Sequence, residues 1–177
     1  MSDELTHIHQ RLLDEGERML AFFEGLSASD WQQQVYTTGS EWRVRQVLAH
    51  FVSAEKTYLH YLRQVVDGGP GLPPDFDIDA FNESQVPTLS QQPIPSLLEE
   101  LRTARAESAA TVARLSATDL DRRGRHPWLG DTDLRSVLKL LYRHPMIHLR
   151  DIRQAIQTKS PVRERKDDRS RDSRSES

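Results

Sequence analysis

The chain has 177 residues, which is the length of one domain and enough to bury a core. Its 24 basic and 27 acidic side chains give a net charge of −3, which argues against a strongly basic nucleic-acid-binding protein. No apolar run reaches the roughly 18 residues of a transmembrane helix, and no secretory signal is recognisable. The absence of cysteine excludes disulfides, thiolate metal ligands and a cysteine nucleophile. We therefore expect a cytoplasmic protein that binds neither nucleic acid nor membrane.

Two segments of different composition predict the domain organisation. Residues 1–158 carry regular apolar patterns and predict one folded domain. Residues 159–177 mix acidic and basic side chains, and Val162 is their single aliphatic residue. Because such a segment has little apolar surface to offset the entropy of ordering, it predicts a disordered charged tail.

The first half of the domain predicts two amphipathic helices. Apolar residues recur at every seventh position near the start of the chain, as in a helix packed in a bundle. These residues are Leu5, Leu12, Met19 and Leu26. A second helix follows residues 38–40 and ends at the glycine-rich residues 68–71. Its apolar stripe consists of Val47, Phe51, Ala54, Tyr58, Leu62 and Val65.

The second half predicts two more helices after a long connection. Residues 67–95 hold most of the prolines and predict a crossover with one short helix at residues 77–86. A third helix begins near Pro95 and a fourth begins after residues 130–132. No segment shows the alternating pattern of a strand. The chain therefore predicts an all-α four-helix bundle with a long crossover between its second and third helices.

The two halves also resemble each other at an offset of about 90 residues. Residues 26–31 read Leu-Ser-Ala-Ser-Asp-Trp, and residues 115–120 read Leu-Ser-Ala-Thr-Asp-Leu. Each segment is followed by a loop with a glycine and then by a helix. This predicts two helix–loop–helix halves; the alternative is that helix ends reuse the same capping residues.

Three histidines form the candidate site. His144 and His148 are four residues apart, so they lie on one face of the predicted fourth helix, within its apolar stripe. His50 borders the apolar stripe of the second helix. If these helices are neighbours, three imidazoles converge, and three protein ligands with an open position are typical of a catalytic metal site. The alternative is three separate core or rim histidines that bind the backbone.

Pro145 lies between two of these histidines. A proline inside a helix donates no backbone hydrogen bond and disturbs the carbonyl four residues earlier, here that of Leu141. We expect a kink that either opens the site or misplaces His144. The carbonyl of Leu141 is then expected to face a water or a substrate group.

The segments around the histidines resemble a known family. Residues 42–50 are similar to the W-x-V-x-x-V-L-A-H segment of the DinB/YfiT-like superfamily, and residues 144–152 to its H-x-x-x-H-L-x-x-I segment. Residues 77–82 and 126–130 resemble blocks found in its ClbS/DfsB-type branch. The resemblance implies an up-down-down-up four-helix bundle, commonly dimeric. It also implies a zinc or nickel ion held by His50, His144 and His148.

What the resemblance implies for function is less uniform. Some members look like S-transferases that use low-molecular-weight thiols, others like metal-dependent hydrolases, and the ClbS branch includes proteins that disarm a reactive small molecule. We therefore expect a metal-dependent transferase or hydrolase for small electrophilic or toxic compounds, with a thiol cosubstrate for the transferase. The alternative is a non-catalytic bundle that binds or sequesters a small molecule.

Two polar residues are candidates for the surroundings of the ion. Asp151 lies three residues after His148 and is placed to orient a ligand imidazole, although an ordinary ion pair with Arg150 is the alternative. Asn82 lies in the crossover, where it is a candidate for contact with substrate or for a turn or helix cap.

Two tyrosines of the second helix are candidates for the pocket. Tyr58 and Tyr61 follow His50 by two and three turns, on nearby faces of the helix. Either one is placed to direct a hydroxyl into a pocket, and the alternative is core packing with a satisfied hydroxyl.

Overall fold

A computed structural model describes residues 3–37 and 40–163 of the protein. Residues 1–2, 38–39 and 164–177 lie outside the described residues, so disorder of the tail beyond residue 163 stays a prediction. The helices are α1 (Asp3–Glu24), α2 (Val44–Val66), α3 (Ile78–Leu89), α4 (Ile94–Val112) and α5 (Leu134–Thr158). The strands are β1 (Arg123–His126) and β2 (Gly130–Asp133).

Four long helices form the predicted bundle. Helices α4 and α5 each pack against both α1 and α2, and the short α3 lies on α2. The connection from α2 to α4 contains α3 and is the predicted long crossover. The all-α four-helix bundle and its crossover are therefore confirmed.

The apolar stripes of the sequence form the core. On α1, Leu5, Ile8, Leu12 and Met19 are fully buried. Val47, Phe51, Leu62 and Val65 line the buried face of α2, as their three- and four-residue spacing predicts. Removing each such side chain from water contributes about 1.5–3 kcal/mol, so the stripes hold the helices in register.

A β-hairpin between α4 and α5 is the part of the fold that the sequence analysis missed. Strands β1 and β2 pair in antiparallel fashion, with Arg123 opposite Asp133 and His126 opposite Gly130. The strands contain mostly charged and polar residues, so no apolar alternation indicates them. The hairpin packs onto α2 at Gly124, where an added Cβ would lie 2.5 Å from Val65 Cγ2. A glycine at this position therefore permits the close approach.

The segment after α5 returns to the bundle before the described residues end. The backbone N–H of Val162 donates to the carbonyl of Val35 at 2.8 Å, and the N–H of Thr37 donates to the carbonyl of Val162 at 3.0 Å. Ordered pairing therefore extends past the predicted domain end at residue 158.

No helix in the described part of the chain is both long enough and apolar enough to cross a membrane.

Candidate metal centre

Three imidazoles meet between α2 and α5. His50 comes from α2, and His144 and His148 come from adjacent turns of α5. The Nε2 atom of His144 lies 3.2 Å from Nε2 of His50 and 3.0 Å from Nε2 of His148. The ligating atoms of all three lie within 4.8 Å of one another. The packing of α2 on α5 thus brings together the three residues that the sequence analysis selected.

The donor set fits a cation better than it fits hydrogen bonding. A ring nitrogen carries either one proton or one lone pair, so Nε2 of His144 cannot make good hydrogen bonds to both neighbours. Three Nε2 lone pairs directed at one cation remove this conflict. Tetrahedral zinc with Zn–N bonds of about 2.0–2.1 Å would require nitrogens about 3.3 Å apart, and the two separations from Nε2 of His144 are close to this value. The three histidines therefore form a group that could hold a divalent metal ion.

Burial keeps these rings neutral and available as ligands. It lowers the pKa of His50 to about 4, although the nearby Asn82 amide acts in the opposite direction. Burial, followed by repulsion from His50, lowers the pKa of His148 to about 3. The pKa of His144 is lowered by burial and then by the other histidines. Neutral imidazoles are the form that binds metal, so no proton has to be displaced at neutral pH.

Tyr36 is a site residue that the sequence analysis missed. Its hydroxyl lies 2.5 Å from Nδ1 of His148. When Nε2 of a neutral imidazole offers its lone pair to an ion, Nδ1 carries the proton. The Nδ1–H group then donates a hydrogen bond, here to the tyrosine oxygen. The contact therefore fixes the ring orientation that directs Nε2 at the other two histidines. Tyr36 lies in the connection before α2, where no periodic pattern marks it.

Pro145 does not displace His144. Helix α5 continues through the proline, and His144 lies within the histidine group. The carbonyl of Leu141 accepts hydrogen bonds from both terminal nitrogens of Arg105, each at 3.4 Å. A side chain of α4 therefore faces this carbonyl, where the sequence analysis expected a water or a substrate group. The sequence could not indicate this partner, because Arg105 and Leu141 are 36 residues apart and no local pattern relates them.

A pocket opens beside the histidines and encloses about 440 Å³ of empty space, part of it open to solvent. Helix α2, the crossover and the hairpin each supply part of its wall. The lining residues are His50, Ala54, Thr57, Tyr58, Tyr61, Leu72, Ile78, Phe81, Asn82, His126, Pro127, Trp128 and His144. None of them is an aspartate, glutamate, lysine or arginine. His50 and His144 belong both to this wall and to the histidine group.

The predicted pocket residues separate into two sets. Tyr58, Tyr61 and Asn82 all line the pocket. Tyr58 stacks on His126 with ring centroids 5.8 Å apart, and Tyr61 meets the same ring edge-on. Asp151 instead pairs with Arg150 at 3.0 Å. The hydrogen bond to His148 therefore comes from Tyr36. Asp151 forms the ion pair with Arg150 that the sequence analysis gave as its alternative role.

The fold and the histidine group define a four-helix bundle protein with a candidate tri-histidine metal centre. A sequence model of the DinB superfamily matches residues 11–152, which is most of the chain. The chain therefore belongs to the DinB superfamily. Its resemblance to the ClbS/DfsB-type branch stays a prediction.

Solved structures share this fold. One is YfiT from Bacillus subtilis, described as a probable metal-dependent hydrolase with an unusual four-helix bundle topology. It is 21% identical, covers 90% of this chain and 91% of its own, and superposes with a TM-score of 0.69. An uncharacterised protein from Clostridium difficile 630 is 12% identical, covers 89% of this chain and 98% of its own, and also has a TM-score of 0.69. Among curated proteins, none matches the chain significantly.

Proposed function

We propose that this protein is a metal-dependent enzyme that joins a nucleophile to a small electrophile held in the pocket. One observation carries the proposal: His50 and His144 line the pocket and also belong to the histidine group. A ligand in the pocket therefore lies next to whatever the three imidazoles hold.

The histidine group is suited to an ion with an open coordination position. Three protein nitrogens leave one place free in a tetrahedral site. His50, His144 and His148 would hold a divalent ion, which would lower the pKa of a thiol or a water that reaches it and so supply a nucleophile near neutral pH. We propose zinc or nickel, since neutral imidazoles suit both ions.

The side chains that line the pocket indicate which kind of compound it binds. No lining side chain carries a formal carboxylate, ammonium or guanidinium charge, so a charged group in the depth of the pocket would be desolvated without a partner. Rings of Tyr58, Phe81, His126 and Trp128 surround the same space. We therefore propose a compound with an uncharged, ring-bearing body. Asn82 is the amide placed near His50 to orient its polar end.

Two nucleophiles are candidates, and each has an observation in its favour. A low-molecular-weight thiol is favoured because the pocket wall offers no carboxylate as a general base, and a thiol loses its proton far more easily than water does. The chain has no cysteine, so such a thiol would arrive as a cosubstrate. Water is favoured by the fold shared with YfiT, a probable metal-dependent hydrolase.

The first experiment measures metal content and two reactions on the same protein. Elemental mass spectrometry is expected to find about one ion per chain, lost in His50→Ala and His148→Ala. With 1-chloro-2,4-dinitrobenzene and added cysteine, S-transfer forms the carbon–sulfur bond, releases chloride and gives the thiol proton to solvent. With 4-nitrophenyl acetate, hydrolysis releases acetate and nitrophenol. His60→Ala is the control, because His60 is exposed on α2 and lies outside the group.

The outcomes separate the hypotheses. Metal-dependent turnover of the first compound supports the transferase, and turnover of the second supports the hydrolase. Wild-type protein that stays metal-free after dialysis against zinc and nickel contradicts the enzyme. Metal or ligand binding without turnover in either assay favours the sequestering bundle.

A further inference from the structure

A buried charged cluster shares a small cavity with His144. Arg105 of α4 and Glu55 of α2 form an ion pair at 2.9 Å, and their side chains are only 6% and 4% exposed. Burial raises the pKa of Glu55, while the charge of Arg105 opposes that shift. A buried pair of this kind is costly to desolvate and is often replaceable by apolar residues. Its presence next to the candidate site therefore requires a specific reason.

The reason lies in the backbone of α5. Pro145 has no N–H, so the carbonyl of Leu141 lacks the donor that every regular helical turn supplies. Both terminal nitrogens of Arg105 reach this carbonyl. An unpaired buried carbonyl is destabilising, and the guanidinium provides the missing donor from outside the helix.

A glycine of α1 leaves space for the Arg105 side chain. Gly16 of α1 faces the Arg105 side chain, and a Cβ added there would lie 3.0 Å from Arg105 Cγ. All four long helices thus contribute to one cluster: Gly16 gives space, Arg105 donates, Glu55 balances the charge, and Leu141 accepts. A small cavity between the cluster and the site is lined by Glu55, Arg105, Leu141, Pro145 and His144, among others.

We infer that Arg105 is a positioning residue of the metal centre, which replaces the backbone donor lost at Pro145 and so holds the α5 turn that carries His144. The inference rests on the metal-binding part of the proposed function. Glu55 keeps the guanidinium neutralised and aimed at the carbonyl. Neither side chain is required to touch substrate or metal.

The pairing with Pro145 gives the inference a sharp test. In Glu55→Gln with Arg105→Met, the carbonyl loses its donor without a buried charge being left unpaired. Zinc affinity, measured by competition with a chromophoric chelator, is expected to fall at least tenfold, as outer partners of ligands typically cause. Adding Pro145→Ala restores an N–H to the helix and is expected to recover most of that loss. Pro145→Ala alone is expected to change affinity less than about threefold, because the carbonyl of Leu141 already has a donor in Arg105.

A matched control comes from the same pair of helices. Lys56 and Glu100 join α2 to α4 at the surface, 2.5 Å apart. Lys56→Met with Glu100→Gln is expected to leave zinc affinity unchanged. Gly16→Ala is a milder variant that displaces Arg105 while keeping its charge, and Pro145→Ala should rescue it too. The visible spectrum of cobalt-loaded protein should change in each weakened variant and return on rescue.

Hydrogen exchange of metal-free protein separates this inference from the proposed function. The amides of His144 and of residues 146–149 are expected to exchange faster in the double variant, with no comparable change in α1, and to recover with Pro145→Ala. Unchanged exchange and zinc affinity in the double variant would overturn the inference. A loss that Pro145→Ala does not rescue would overturn it as well, because the cluster would then act only on general stability. A wild type that binds no metal but shows the exchange pattern refutes the proposed enzyme and keeps the backbone role of Arg105.

Discussion

The two connections that lead into α2 and α5 begin alike and then diverge. In residues 25–43, the hydroxyl and N–H of Ser27 both donate to Asp30, at 2.7 and 3.0 Å. In residues 113–133, Ser116 makes the same two bonds to Asp119, at 2.6 and 2.8 Å. We call this shared arrangement the Ser–Asp clasp. The sequence echo between the two halves is thus matched by hydrogen bonds in the structure.

After the clasp, the two connections approach the site from different sides. The first runs past Val162 and presents Tyr36 to His148. The second forms the β-hairpin and places His126 and Trp128 in the pocket wall. The repeated clasp thus begins both connections, whereas their unrepeated middles contact different parts of the candidate site: the first contacts His148, and the second forms part of the pocket wall.

The largest effect on stability is expected when the hairpin of the second connection can no longer pack closely on α2. In Gly124→Ala, the new Cβ would lie 2.5 Å from Val65 Cγ2 and 2.9 Å from the Tyr61 hydroxyl. Because both contacts are within the core, we expect a loss of about 1–3 kcal/mol in the free energy of unfolding, measured in urea. The control is Gly25→Ala in the first connection, where the nearest atom is 3.5 Å away. Equal losses in the two variants would contradict the tight docking of the hairpin.

Tyr36→Phe tests the role of the first connection. Because the variant removes the acceptor for Nδ1 of His148, zinc affinity is expected to fall about 10- to 100-fold. Competition with a chromophoric chelator measures it. Tyr142→Phe removes a hydroxyl from α5 itself and is expected to change nothing, since Tyr142 is not part of the histidine group. If Tyr36→Phe also weakens the binding of an aromatic compound such as 2-naphthol in the pocket, the two connections do not have separate roles.

A shortened chain tests the same connection from its other side. A chain ending at Ser160 lacks Val162, whose backbone pairs with Val35 and Thr37 on either side of Tyr36. We expect zinc affinity to fall, by less than in Tyr36→Phe, because the tyrosine remains but is less well held. A chain ending at Arg163 keeps the pairing and should bind zinc as the full chain does. If both shortened chains lose affinity equally, the Val162 pairing is not the cause.

Trp128→Leu tests the role of the second connection. Trp128 is 51% exposed at the hairpin turn, so its replacement spares the core. Loss of aromatic contacts is expected to weaken the binding of 2-naphthol to metal-free protein about 2- to 10-fold. Isothermal titration calorimetry measures this, with the anion 2-naphthoate as the charged comparison, which is expected to bind more weakly in wild type. Leu13→Ala, exposed on α1, is the control. Because the Trp128 ring lies edge-on to His144 at 5.5 Å, a small change in zinc affinity is expected, and a loss as large as that of Tyr36→Phe would contradict the division of roles.

The smallest expected effect concerns the clasp that both connections share. The Ser116 hydroxyl, then its backbone N–H and Arg122, lower the pKa of Asp119 to about 2 from 3.8. A carboxyl with a depressed pKa stabilises the fold above its ordinary pKa, and this contribution is lost as the pH falls through the folded-state value. Asp119→Asn should therefore lower the melting temperature slightly at pH 7, with the difference from wild type shrinking between pH 4 and pH 2.

The first connection predicts the same pH behaviour. Hydrogen bonds from Ser27 lower the pKa of Asp30, so Asp30→Asn should follow the same direction with pH. A difference that grows on acidification in either variant would mean that the carboxylate does not stabilise its clasp.

The long helices and the three histidines were accessible from sequence because both depend on local spacing. The stripe from Leu5 to Met19 follows a seven-residue period, and the four-residue step between His144 and His148 sets their common face wherever the helix packs. The convergence of His50 with this pair required one tertiary assumption, that α2 and α5 are neighbours. The family resemblance supported that assumption independently.

The remaining parts of the site depended on partners far apart in sequence. Tyr36, the hairpin and the contact of Arg105 with Leu141 each join segments whose order along the chain says nothing about their proximity. The expectation for Leu141 shows the consequence. The missing donor at Pro145 follows from proline chemistry, but the identity of the replacement donor does not.

Residue spacing was enough to identify the long helices, the faces they bury and the two neighbouring imidazoles of α5, because helical periodicity is a local property of the chain. The tertiary structure decided which side chains complete the site. Tyr36 reaches His148, and Arg105 reaches Leu141, only after the helices pack and the two connections fold back onto them. The physical reason is that these contacts depend on loop closure and interhelical packing, which bring together residues that no local pattern relates.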